Sequence, residues 1–187
     1  CNSNKNINSI SDLAKSQSLN FGVAGYGSSE HLATEVLFKK LKANHLAVPY
    51  SKGGSAAVQD MLGGNIDCMF ANYPVVSEWV GNSRLKFIMS SHDLGLKVPT
   101  WKSSFAEPFP FESYLGLVVA RSMNEADKEV LKAKFTQAFG NKELETALSK
   151  AGLFPVLAMD KKSVEAGLYN NTKLRTFILQ NNIKISN

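Results

Sequence analysis

A chain of 187 residues can bury one core of ordinary size or two smaller ones, and 44% hydrophobic with 20% charged residues is the balance of a folded globular protein. Its net charge of +5 is spread over separated lysines with no arginine-rich run, which argues against nucleic acid as a partner. No apolar run is long enough to cross a bilayer, and His31, His45 and His92 show no ligand spacing, so neither a metal nor a cofactor is expected.

Residues Cys1 to Asn8 are rich in Asn, Ser and Lys and read as a poorly ordered tail. Ser9 is placed to cap a short helix to Lys15. Leu19 to Ala24 reads as a buried strand, followed by the turn Gly25, Tyr26, Gly27 and a helix opened by Ser28 or Ser29. That helix carries Ala33, Val36, Leu37 and Leu41 on one face, with Glu35 and Lys39 four residues apart on the other. His45 to Pro49 is a second strand, and Tyr50 to Gly54 a second glycine loop. Ser55 starts a helix with Val58, Met61 and Leu62 inward and Gly63–Gly64 closing it. Asn65 to Ala71 is a third strand, Pro74 to Val80 a short helix, and Leu85 to Met89 a fourth strand. Strand–loop–helix units at this spacing predict an α/β fold with a mostly parallel sheet.

Ser90 to Phe111, with three prolines, reads as irregular, and Tyr114 to Ala120 as another buried strand. Helices are expected over Asn124–Phe139 and Asn141–Ala151. After Gly152, Phe154–Ala158 fits a strand, and Asp160 is placed to cap a last helical stretch. The expected division is 1–18 as tail and lead-in helix, 19–120 as an α/β ligand-binding lobe, and 121–187 as a mostly helical segment. Cys68 lies in an apolar pattern and reads as a small buried hydrophobe. Cys1 is either the lipid-carrying cysteine of a bacterial lipoprotein or the point where a longer chain was trimmed, and the second is preferred.

In an open parallel sheet, ligands bind outside the carboxyl ends of the strands. The loops Gly25–Ser29, Tyr50–Ser55 and Asn72–Pro74 all follow strand ends and so share one rim. They offer backbone N–H groups at helix starts, the hydroxyls of Ser28, Ser29 and Ser55, and the amide of Asn72. Such donors, with the positive ends of helix dipoles, suit a small anion. The same pattern serves ordinary βα loops, and both readings stand at this point. GYGSS has no serine at the centre of a G-x-S-x-G elbow, and SKGGS has its lysine on the wrong side for a phosphate loop. Asp60 and Asp67 read as solvent-facing, Tyr26, Tyr50 and Tyr73 as packing residues at strand ends. No catalytic pair is present, so no enzyme is expected.

GYGSSEHLATEVL, then VPY, GGSAAVQDMLGGNIDCMFANYP and VPTW, in this order and at these separations, resemble the substrate-binding proteins of tripartite tricarboxylate transporters, the Bug-type binding proteins. The likeness runs from about Ser9 to the C-terminus and lacks the family's N-terminal region. It implies a type II periplasmic binding-protein fold, with the helices after Ala120 belonging to a partner lobe. It also implies capture of a small carboxylate outside the cytoplasm and delivery to membrane permease subunits; the alternatives are an interaction or sensor module built on a half binding protein, or a type II binding protein of another transporter class, and a homodimer is expected if nothing else replaces the missing lobe. The ligand-binding positions it implies are Gly25, Tyr26, Gly27, Ser28, Ser29, Gly53, Gly54, Ser55 and Asn72. Glu30 departs from the pattern, since a negative charge facing the cleft weakens anion binding. Lys52, displaced in the second loop, is placed to offset it.

Overall fold

The computed structural model describes residues 1–110, 113, 116, 118–154, 172 and 174–183. The chain divides into two compact units, 1–112 with 177–187, and 113–176.

The first unit is built on a three-stranded parallel sheet of β1 (Asn20–Val23), β2 (Leu46–Pro49) and β3 (Cys68–Met69), in the order β2-β1-β3. Phe21 pairs with Ala47 on one side and Cys68 on the other, and Gly22 with Val48 and Met69. Side chains alternate along a strand, so this register sorts the core into two layers. Phe21, Val23, Ala47 and Cys68 pack with Val36, Leu37 and Phe38 of α2 (Ser29–Leu41), Phe21 meeting Phe38 edge-on at 5.0 Å. Val48 and Met69 pack with Ala57, Val58 and Met61 of α3 (Gly54–Gly63). Gly22 lies between them. A Cβ there would come within 2.4 Å of Ile66 Cδ1 and 2.9 Å of Ala57 Cβ, so its lack of a side chain is what lets α3 seat on the sheet.

The helices begin where the sequence supplies caps. Ser9 Oγ accepts the Asp12 N–H at the start of α1 (Ile10–Lys15), and Ser28 Oγ accepts the His31 N–H at the start of α2. α3 begins at Gly54, one residue before the expected Ser55, with Gly53 at φ +83° as its cap. Glu35 does not pair with Lys39: it faces His31 Nε2 at 3.7 Å, and Lys39 Nζ donates to the carbonyl of Asn181.

Several expectations are corrected. Cys1 and Cys68 form a disulfide. Cys68 is fully buried as expected but is no free thiol, and the Cys1 sulfur that a lipid thioether requires is already bonded. The N-terminal stretch is held in place rather than loose: Asn2 is buried, its N–H donates to Asp67 O at 2.8 Å, and its side-chain amide donates to Met61 O at 2.6 Å. The third strand shrinks to two residues. The fourth is replaced by an isolated bridge of Leu85 to Asn2, with Ser90 bridging Thr100. The short helix after Asn72 is α4 (Tyr73–Val76), followed by a 3-10 turn over Ser77–Trp79. The segment expected to be irregular contains α5 (Trp101–Phe105), capped by Thr100, and Trp101 is fully buried in the first core layer. Asp67 does not face solvent: it accepts the Asn20 N–H at 2.8 Å and pairs with Lys5 at 2.6 Å.

The second unit contains α6 (Glu125–Phe139) and α7 (Lys142–Lys150), capped by Asn124 and Asn141. No residue of either helix is buried. The strand expected over Tyr114–Ala120 falls partly outside the described residues, and 118–120 carry no regular structure. Of the strand expected over Phe154–Ala158, Phe154 carries no regular structure and the rest lies outside them, as does the cap at Asp160.

Candidate functional site

The strand order fixes where a site can form. From β1 the chain passes to one side to reach β2, then crosses back past β1 to reach β3. Connections of one hand therefore put α2 and α3 on opposite faces, and the loops after β1 and β3 part at their carboxyl ends. That parting is the crevice in which open α/β sheets hold ligands.

The first loop is set by backbone. Gly25 and Gly27 lie at φ +133° and +77°, conformations that favour glycine. The Ser28 N–H donates to Gly25 O at 3.2 Å. The Gly27 N–H donates to Nδ1 of His31 at 3.1 Å, so the buried ring clasps the turn from inside α2. Burial lowers the His31 pKa from its ordinary value, opposed by the nearby Glu35. The neutral ring accepts at Nδ1 and carries its proton on Nε2, toward Glu35. Tyr26 stands edge-on to this ring at 5.1 Å and is more than a third exposed.

In the second loop, the Tyr50 hydroxyl donates to Asp60 Oδ2 at 2.8 Å. Burial, then Asp60, pushes its pKa up to about 12. The third loop presents Asn72, whose side chain does not cap α4. Instead Asn72 Nδ2 donates to Glu30 Oε1 at 2.7 Å and to Ser29 Oγ at 3.1 Å, and Ser29 Oγ donates to Glu30 Oε2 at 3.1 Å. Gly54 completes the cluster: a Cβ there would lie 3.9 Å from Glu30 Oε1 and 3.3 Å from Val75.

Of the positions singled out in the sequence, the fold thus joins Ser29 and Asn72 directly and sets Gly54 beside them. Ser28 is used as the helix cap, and Ser55 and Lys52 are exposed. Lys52 makes no ion pair among the described residues. Two members were not foreseen. His31 as a turn clasp left no sequence signal beyond its four-residue spacing from Gly27. Glu30 was noted as an added charge, not as a participant. Its position is informative: a reciprocal cap needs the acid three residues after the capping Ser28, where His31 stands. At the second helical position Glu30 is released from capping and turns to Asn72.

The backbone N–H groups of Ser29 and Glu30, and of Gly54 and Ser55, have no partner among the described residues. Two helix starts therefore aim four unclaimed donors at the rim.

A parallel sheet with a switch in strand order and glycine turns feeding helix starts fits the α/β architecture of a type II periplasmic binding-protein fold. The chain belongs to the tripartite tricarboxylate transporter receptor family, whose profile matches residues 3–181. It is 26% identical over 140 residues to a protein of the tcbD–tcbE intergenic region of a Pseudomonas species, and 29% identical over 143 residues to BugT of Bordetella pertussis. These matches take in 72% and 74% of this chain but 41% and 43% of the relatives, so the chain spans less than half their length. Among solved structures, the periplasmic binding protein BugD superposes over 98% of this chain and 64% of its own, with a TM-score of 0.77 and 16% identity. A protein of R. palustris solved with adipate gives 0.74, covering 94% and 60%, at 16% identity. MatC from Rhodopseudomonas palustris with bound malate gives 0.66, covering 89% and 58%, at 18% identity. Likeness at that level of identity speaks for the fold alone.

Proposed function

We propose that this chain supplies ligand-contacting loops of an extracytoplasmic solute-binding protein that captures a small carboxylate-bearing molecule for a membrane permease. The observation that carries this is the convergence of two unclaimed helix starts and the Asn72 loop on the switch point of the sheet. Backbone donors at helix starts favour a carboxylate, and Gly25, Gly27, Gly53 and Gly54 allow it close approach. Tyr26, Ser28 and Ser55 line the rim. Family membership supports the ligand class.

The compartment has independent support. A disulfide persists where the surroundings are oxidising, as they are outside the cytoplasm, and Cys1–Cys68 belongs there. The reading is of a binder rather than an enzyme, because the family is one of receptors.

Isothermal titration of the purified chain against four- to six-carbon acids, with and without an amino group, tests this. Saturable binding of at least one is expected. No saturable heat from any member, with the chain shown folded by circular dichroism, overturns it.

A further inference from the structure

The place where a ligand carboxylate would meet α2 already holds a carboxylate of the protein's own. Glu30 is 7% exposed and accepts from Ser29 Oγ and Asn72 Nδ2. An ionised carboxylate only accepts, so the single hydroxyl hydrogen of Ser29 is used on it. Both hydrogens of the Asn72 amide are used as well, one on Glu30 and one on Ser29. What the side chains of Glu30, Ser29 and Asn72 still present is acceptors: the remaining lone pairs of Glu30 and the Oδ1 of Asn72. The donors lie beside this cluster, in the backbone N–H groups at the starts of α2 and α3 and the hydroxyls of Tyr26, Ser28 and Ser55. The site is therefore divided, with a negative, accepting part at Glu30–Asn72 and a donating part along the two helix starts.

A plain diacid brought to this cluster sets like charges together or must displace Glu30 from a buried, doubly bonded position. A ligand with an N–H group meets an acceptor there, and an ammonium forms a charge-assisted bond in a site of little exposure. Resting on the solute-binding reading above, we infer that the ligand carries, besides its carboxylate, an amino or other N–H donor group that docks on Glu30 and Asn72 Oδ1, and that Glu30 sets this preference. Its carboxylate then takes the backbone donors of Ser29, Gly54 and Ser55.

The test compares matched pairs that differ by one amino group, aspartate against succinate and 2-aminoadipate against adipate, by titration calorimetry. In the unaltered chain the amino member of at least one pair binds about tenfold tighter or more, the scale of one hydrogen bond to a charged group. Glu30→Gln keeps the shape but removes the charge, and it brings that ratio close to one while leaving the circular dichroism spectrum unchanged. Equal or tighter binding of both plain diacids by the unaltered chain overturns the inference and leaves the solute-binding reading standing. So does an unchanged ratio in a folded Glu30→Gln variant. Failure of all four acids to bind overturns both. Should Glu30→Gln not fold, the ratios in the unaltered chain decide alone.

Discussion

His31 is buried to 2% exposure and bonded to the turn it follows, and its chemistry reaches beyond packing. A proton added at Nδ1 removes the only acceptor that Gly27 N–H has on this ring. Because burial holds its folded pKa below the ordinary 6.5, the neutral ring contributes stability that is complete above about pH 6.5. That contribution is lost as the pH falls through the lowered folded value, since the unfolded chain takes up the proton first. The melting temperature should therefore drop on acidification below pH 6.5 by more in the parent than in His31→Gln, where an amide oxygen replaces the ring nitrogen without titrating. Parallel curves for the two proteins would rule this out. Glu30 teaches the complementary lesson. Its identity and helical position were legible, but whether its carboxylate faced solvent or Asn72 depended on a residue 42 positions away, which no local pattern encodes.

Among the elements, helices were the more legible, for a physical reason. Ser9, Ser28, Asn124 and Asn141 each accept a backbone N–H two or three residues on, so a helix start is written in adjacent letters. Strands depend on partners. The segment Leu85–Met89 has the composition of a strand, yet its neighbour is the chain's beginning, with Lys86 N–H donating to Cys1 O and Ser3 N–H to Arg84 O, and the pairing closes after one bridge. The Cys1–Cys68 link pins that N-terminal stretch beside β3. The two cysteines were in plain view, but pairing across 67 positions has no sequence signature when only one pair is present. Reduction should lower unfolding stability by about 2–4 kcal/mol, the usual worth of a disulfide. Urea titrations with and without a reductant give the shift in midpoint, and coincident curves would show that the link adds nothing.

At the scale of the whole molecule, the two units differ in how well they are built. The first has two packed layers about its sheet; α6 and α7 of the second have none of their residues buried. Val130 and Phe139 are 53% and 37% exposed, and Leu144 and Leu148 are only half-buried. A helical pair with so little burial is marginal, and its apolar residues favour association. Light scattering over a concentration series should show mass rising above that of one chain, and a double change of Val130→Lys and Phe139→Lys should return it toward the monomer. A constant monomer mass throughout would refute this.

The first unit also takes residues from both ends of the chain. Phe177 packs into the layer that holds Phe21 and Trp101, Ile183 is buried, and Asn181 receives Lys39 of α2. Synthesis delivers these last residues only after the 113–176 segment has been made, several seconds later at roughly 5–20 residues per second. Until then the layer that holds Phe21 and Trp101 lacks the cover that Phe177 gives it.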